Sequence, residues 1–226
     1  MPDYIPEALK RFKRKKPRIW QGSTHQHTVP NYGAKQQFVE TDSNEPVLGK
    51  EAKKYMQQVL ETFLYYAHPV DPTILIALSA ITSEQESPTR ATIKKVDQFL
   101  DYAASQEQSI LTYEASDMVL AVHSNASYLS ESKARSRAGG HFFMSKDDSF
   151  PPTNGAVLNI AQIMKPIMSS AAEAEIGAMY VNALEAVPAQ QSLNEMGHHQ
   201  PRTPMQTENT AAHSVVTNNV QPKCTK

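Results

Sequence analysis

Cysteine is nearly absent from this chain: its 226 residues include a single one, Cys224, close to the C-terminus. One thiol cannot build a disulfide framework within a chain, which excludes a disulfide-stapled scaffold and fits a reducing compartment. Charge of either sign is missing as a bias. The formal net charge is −1, so no global field draws the chain to nucleic acid or to a membrane. No apolar run approaches a membrane span, and the N-terminus lacks the apolar core of a signal peptide. The expectation is a chain inside the cell, in cytoplasm or nucleus, that does not enter membranes. Glycine is scarce, while the 15 prolines gather in the first half-hundred residues and around 151–166. The length allows one or two small domains and a buried core.

What is present changes along the chain. Residues 1–48 read as mostly irregular, with one short helix in MPDYIPEALKRF. The stretch KRFKRKKPRIW then packs seven cations, Lys10, Arg11, Lys13, Arg14, Lys15, Lys16 and Arg18, into nine positions. Such a run contacts phosphates or serves as a nuclear localisation patch, or else it is a solvated arm. His25 and His27 lie nearby, but no further residues at metal-ligand spacing accompany them, so they read as loop histidines.

Residues 49–107 read as helical. Tyr55, Met56, Val59, Leu60, Phe63 and Leu64 recur at the spacing of one buried face. Asp71–Pro72 is a cap followed by proline at the first helical position, and Ser87–Pro88 repeats the device before ATIKKVDQFLDYAA. From residue 108 the period turns to two. MVLAVHS reads as a strand covered on both faces, and Gly139–Gly140 as the opening of a second strand, HFFMS. KDDSFPPTNG is a hairpin loop and AVLNIAQIM a third strand. MSSAAEAEIGAMYVNAL is an amphipathic helix with Ile176, Met179, Tyr180, Ala183 and Leu184 facing inward, Ser169 or Ser170 as cap and Glu173 as the cap's partner. A short helix, AQQSLNEMG, a short central strand, TPMQTE, and a last helix capped by Asn209 or Thr210 complete the order.

Four ordered motifs lie in this second half: SNAS, RSRAGGHFF, MSSAAEAE and TEN. Their order and content resemble the ribonuclease H domain of copia-type retrotransposon polyproteins. There a strand carries D-A-S or D-A-D, followed by RS-x-x-G-x-x-FF, LSS-x-EAE and a strand with DN. The helical stretch YMQQVLETFLYYA…VDPTILIALSAI…IKKVDQFLDYAA also resembles the connection between polymerase and ribonuclease H in those polyproteins. The resemblance assigns 1–48 to a thumb tail and linker, 49–107 to a connection region and 108–226 to an α/β, ribonuclease H-like mixed sheet with flanking helices. No paired-aspartate polymerase motif occurs, so the chain is not a whole reverse transcriptase.

The resemblance implies hydrolysis of RNA in RNA–DNA hybrids by two Mg2+ ions about 3.5–4 Å apart, held by carboxylates. The motif positions of the metal-binding and catalytic acids fall on Asn125, Glu175 and Glu208. A further acid, on a later helix, would lie beyond Lys226. Only Glu175 has the family's residue. Asn125 is neutral where a bridging aspartate is expected, and Glu208 carries one methylene more than aspartate. The implied centre is therefore degenerate, and the implied partners are RNA–DNA hybrid and other parts of the same polyprotein. A non-catalytic remnant that binds nucleic acid or a partner is the alternative. Asn125 also reads as a strand-end turn residue, and Glu208 as a charge placed by a helix dipole.

Overall fold

A computed structural model describes residues 1–26, 45–106 and 108–217. His27 and Cys224, the middle of the N-terminal segment and the C-terminal tail lie outside the described residues. The chain divides into two compact units, with the boundary at Leu111/Thr112.

The first unit is helical: α1 (Tyr4–Arg11), α2 (Lys50–Ala67), α3 (Leu75–Thr82) and α4 (Arg90–Ser105). The apolar stripes predicted from the 3.6-residue period form its core, with Met56, Val59, Leu60 and Phe63 of α2 against Val96, Phe99 and Leu100 of α4. Phe63 and Phe99 meet edge to face at 4.9 Å between centroids. Asp71 caps as expected, accepting from the Thr73 backbone N–H at 3.2 Å, and a 3-10 turn at Pro72–Ile74 precedes α3. The cap of α4 differs from expectation. It is Thr89, in a reciprocal capping box with Thr92, and not Ser87.

The second unit is a four-stranded mixed sheet with flanking helices. Its strands are β1 (Val119–Glu131), β2 (Arg135–Ser145), β3 (Ala156–Ile163) and β4 (Met205–Gln206), in the order β3-β2-β1-β4. β1–β2 and β2–β3 are antiparallel, and β1–β4 is parallel. The helices are α5 (Ala171–Glu195) and α6 (Thr210–Thr217). Leu120, Val122 and Phe142 of the sheet bury against Ala186 and Leu193 of α5. Ala138 meets Ala174 and Ala178, with Met164 and Met168, at the other end of the helix.

Three expectations need correction here. β2 begins at Arg135, so Gly139–Gly140 lie inside it and do not open it. β4 is a two-residue edge strand, not a central one. The third correction concerns α5. Its period was read correctly but its phase was not: Ala174, Ala178, Asn182 and Ala186 are buried, while Tyr180, Ala183 and Leu184 are exposed, and Ile176 and Met179 are half-buried. The helix also continues through Pro188 to Glu195, absorbing the separate short helix.

The reason for the phase lies in Gly140. A Cβ there would fall on the Asn182 amide oxygen. The glycine lets the helix approach the sheet so closely that only small or hydrogen-bonding side chains fit between them. Asn182 is fully buried and donates to Ser124 Oγ at 2.8 Å and to the Gly139 carbonyl at 2.9 Å. Bulky residues must turn outward. Gly140→Ala should therefore destabilise the unit by about 1–3 kcal/mol through overpacking. Gly139→Ala, whose added Cβ would meet only the Asn125 carbonyl at 3.5 Å, should be near neutral. Chemical denaturation followed by circular dichroism compares the two, and equal midpoints would discard the close-approach account.

Candidate functional site

The site is built where the start of α5 meets the β4 side of β1. Ser170 caps α5 by accepting the Glu173 N–H at 3.1 Å, while the Glu173 carboxylate accepts from the Ser169 N–H at 2.7 Å and from its hydroxyl. Both predicted serines are thus used. The alanines at 174 and 178 hold this first turn against the sheet, which brings Glu175 over the strand edge.

Along that edge the even-numbered N–H groups of β1 need acceptors. Leu120 donates to the side-chain oxygen of buried Gln200 at 2.9 Å. Val122 donates to the Pro204 carbonyl at 3.0 Å, within the β4 pairing. β4 ends at Gln206, and beyond it the Ala126 N–H donates to the Glu175 carboxylate. Thr207 adds a long hydroxyl contact of 3.4 Å to the same carboxylate. Burial is the main reason that the Glu175 carboxyl is raised above the ordinary range. The Ala126 and Thr207 hydrogen bonds pull it back down, and the nearby Glu208 charge adds to the rise.

Of the predicted site residues, Glu175 and Glu208 share this corner. The parallel register pairs Val122 with Met205 and His123 with Gln206. Carried on in step, it sets Asn125 beside Glu208, two residues past the paired strand. Strand alternation sends the exposed Asn125 side chain to the sheet face opposite α5, while its neighbour Ala126 faces the helix. Glu208 is exposed and sits one residue before Asn209, which caps α6 by accepting the Ala212 N–H at 2.9 Å. Thr207 and Gln200 were not singled out from sequence. Thr207 adjoins a mapped position, which was the available signal, and Gln200 had none.

The donor set at this corner is one buried carboxylate, Glu175, and one exposed carboxylate, Glu208, while the neutral Asn125 amide is turned to the other face of the sheet. Among the described residues no cluster of three or more histidines, cysteines, aspartates or glutamates could hold a metal. Two hard dications require more anionic oxygen than this to offset their own repulsion, so the residues present fit a two-magnesium centre poorly.

The raised carboxyl has a consequence for stability. A carboxyl whose folded pKa lies above its unfolded one favours the folded state in its neutral form; that contribution is complete below the unfolded pKa and is lost as pH rises through the folded one. Glu175→Gln should accordingly raise the melting temperature near neutral pH, with the difference vanishing in acid, below the ordinary carboxylate range. Melting curves of both proteins across pH test this. A variant less stable than the parent at neutral pH would show that the charged form is the one the fold favours.

The basic run belongs to the first unit. Arg14 is committed there, forked between Asp97 and Asp101 of α4 at 2.7 Å to each. Arg11 lies over the Phe12 ring at 5.5 Å and contacts Thr62 Oγ1 at 3.4 Å. Lys10, Lys13, Lys15, Lys16 and Arg18 are exposed.

Set against protein-family models, curated proteins and solved structures, the chain finds no match. Among the described residues, no helix is long and apolar enough to cross a membrane.

Proposed function

We propose that the second unit is the ribonuclease H-like domain of a copia-type retrotransposon polyprotein, with a centre that engages RNA–DNA hybrid but cleaves it poorly. The observation that carries the reading is the meeting at Glu175. Three of the four motif segments, far apart in sequence, supply the Ala126 N–H, the Glu175 carboxylate and the Thr207 hydroxyl at one point. The mixed sheet, with its first and last strands parallel and neighbouring, is the arrangement that the motif order calls for. Magnesium, where bound in such enzymes, would stabilise charge on the attacking and leaving oxygens. Here a neutral amide and a displaced glutamate stand in place of two aspartates, so the chemistry is the part that fails.

A second reading is a non-catalytic remnant, and the edge-capping geometry favours it. A carboxylate that completes the hydrogen bonds of β1 has a structural role with or without a metal. A gel shift with an RNA–DNA hybrid, paired with a cleavage assay in magnesium, separates the two. The expected result is hybrid binding with cleavage at least ~1000-fold slower than a relative with all its acids, from the size of preorganised electrostatic effects. Efficient cleavage by the unmodified chain, lost in Glu175→Gln, would overturn the degenerate centre. Absence of binding would overturn the first reading and leave only a remnant that binds a partner other than the hybrid.

A further inference from the structure

The basic run is displayed by a built segment. α1 ends in a paired turn, in which the Lys13 N–H donates to the Lys10 carbonyl at 3.0 Å and the Arg14 N–H to the Leu9 carbonyl at 2.9 Å. Lys13 takes the left-handed conformation that this helix end requires, at φ 54°. The turn directs Arg14 into its fork with Asp97 and Asp101. Seven residues on, the chain is tied to α4 again, where the Gln21 N–H donates to Ser105 Oγ at 3.1 Å. Between the two ties lie Lys15, Lys16, Pro17, Arg18, Ile19 and Trp20. From Ala8 to Val39 the sequence contains no acidic residue.

Trp20 stands at the end of this loop with 65% of its surface exposed. Its six-membered ring rests on Gly22, where a Cβ would lie 2.9 Å from Cη2 and closer still to Cζ3. The ring therefore lies against the backbone at Gly22, with most of its surface open. An exposed indole beside four cations on an anchored loop matches the two requirements of single-strand binding: phosphate contacts along a chain and a flat surface for an unpaired base. A membrane surface fits less well. Within residues 13–22 the exposed large apolar side chains are Ile19 and Trp20, and the apolar side of α1 (Ile5, Ala8 and Leu9) is buried within the unit.

We propose that residues 13–22 form a single-strand platform, in which Trp20 stacks on an unpaired base while Lys13, Lys15, Lys16 and Arg18 hold the flanking phosphates. This deepens the reading of the basic run as a phosphate contact and depends on it, but it is independent of Glu175. A duplex presents no free base face, so the platform distinguishes single strands from duplexes where cations alone would not.

Trp20 is the only tryptophan in the chain, so its emission reports on the site directly. The full chain, without magnesium, is titrated with oligothymidylate, with a duplex of equal length and with phosphatidylglycerol vesicles. Oligothymidylate should quench the emission. By anisotropy of a labelled strand, Trp20→Ala should weaken single-strand binding about tenfold and duplex binding much less, and Trp20→Phe should restore part of the loss. Replacing Lys15, Lys16 and Arg18 with alanine should flatten the salt dependence by about two in log–log slope. If that triple variant loses affinity while Trp20→Ala binds as the parent does, the platform is wrong and the phosphate reading stands. If neither change matters, both fall. An emission change with vesicles and none with oligothymidylate would reassign the segment to a lipid surface.

Discussion

Asn125→Asp should give the largest single recovery of magnesium-dependent hybrid cleavage, on the order of 100-fold, the scale of one well-placed charge-stabilising group. The argument is a count of charge. The motif positions supply two carboxylates, Glu175 and Glu208, and Asn125 is the position at which the resemblance implies a third. Glu208→Asp alone should do little, because the position beside it in register remains neutral. Its own defect is geometric. An extra methylene displaces the carboxylate by about 1 Å, and a misplacement of that size can cost ~100-fold. The double variant should exceed the sum of the two in free energy, since both side chains would act on the same ions. The experiment is a cleavage time course on a labelled hybrid for the parent, both single variants and the double. A double variant as inactive as the parent would mean that the corner formed by β1, β4 and α5 is structural only. That outcome has a geometric basis, because alternation turns residue 125 away from the face that carries Glu175.

The strands were legible because their signal is local. Val119, Ala121 and His123 alternate with Leu120, Val122 and Ser124, and the first six residues of β1 are buried on both faces, except for the half-buried His123. The helix cap was likewise readable from residue type as Ser169 or Ser170, and Ser170 is the one used. The face of α5 was not. A hydrophobic stripe assumes that the largest apolar residues seek the core, which fails where a glycine on the facing strand leaves room for alanine and asparagine alone. Gly140 and Asn182 lie 42 positions apart in sequence, so nothing local links them. Gln200 is invisible for a similar reason: its amide bridges the Leu120 N–H and the Met118 carbonyl across some 80 residues. The basic run was read as a whole, and only the fold shows Arg14 forked between Asp97 and Asp101 of α4. The glutamate at 175 was found by motif, yet its contact with the Ala126 N–H follows from β4 stopping two residues too soon to satisfy it.

Arg137→Ala should be the most damaging substitution in the second unit. The β1–β2 turn is irregular: the register slips between Ser127 and Glu131, and Leu129, Lys133 and Ala134 all take positive φ. Arg137 fastens it. Its guanidinium is almost fully buried and donates from Nε to Glu131 Oε1 at 2.8 Å, with Nη2 2.7 Å from the same oxygen, and from Nη1 to the Ala161 carbonyl at 3.1 Å. One side chain thus ties the end of β1 to β2 and β3. Removing it strands a largely buried Glu131 carboxylate without its counter-charge, which costs about 3–5 kcal/mol. Arg137→Lys should cost less than alanine but more than a surface change, because a single ammonium cannot reproduce the fork. Replacing the pair together, with Arg137→Met and Glu131→Leu, should recover most of the loss, since two apolar residues need no counter-charge. The lone tryptophan lies in the other unit and does not report on this turn, so the measurement is amide exchange across β1 and β2. If Arg137→Ala shifts protection no more than an ordinary surface substitution, within about 0.5 kcal/mol, the turn is held by its backbone alone. If the double replacement is as damaging as alanine, the pair is valued for its geometry and not for its charge. The damage should also spread to Glu175, because Ala126, whose N–H the carboxylate caps, lies on the stretch of β1 that the fastener keeps in register.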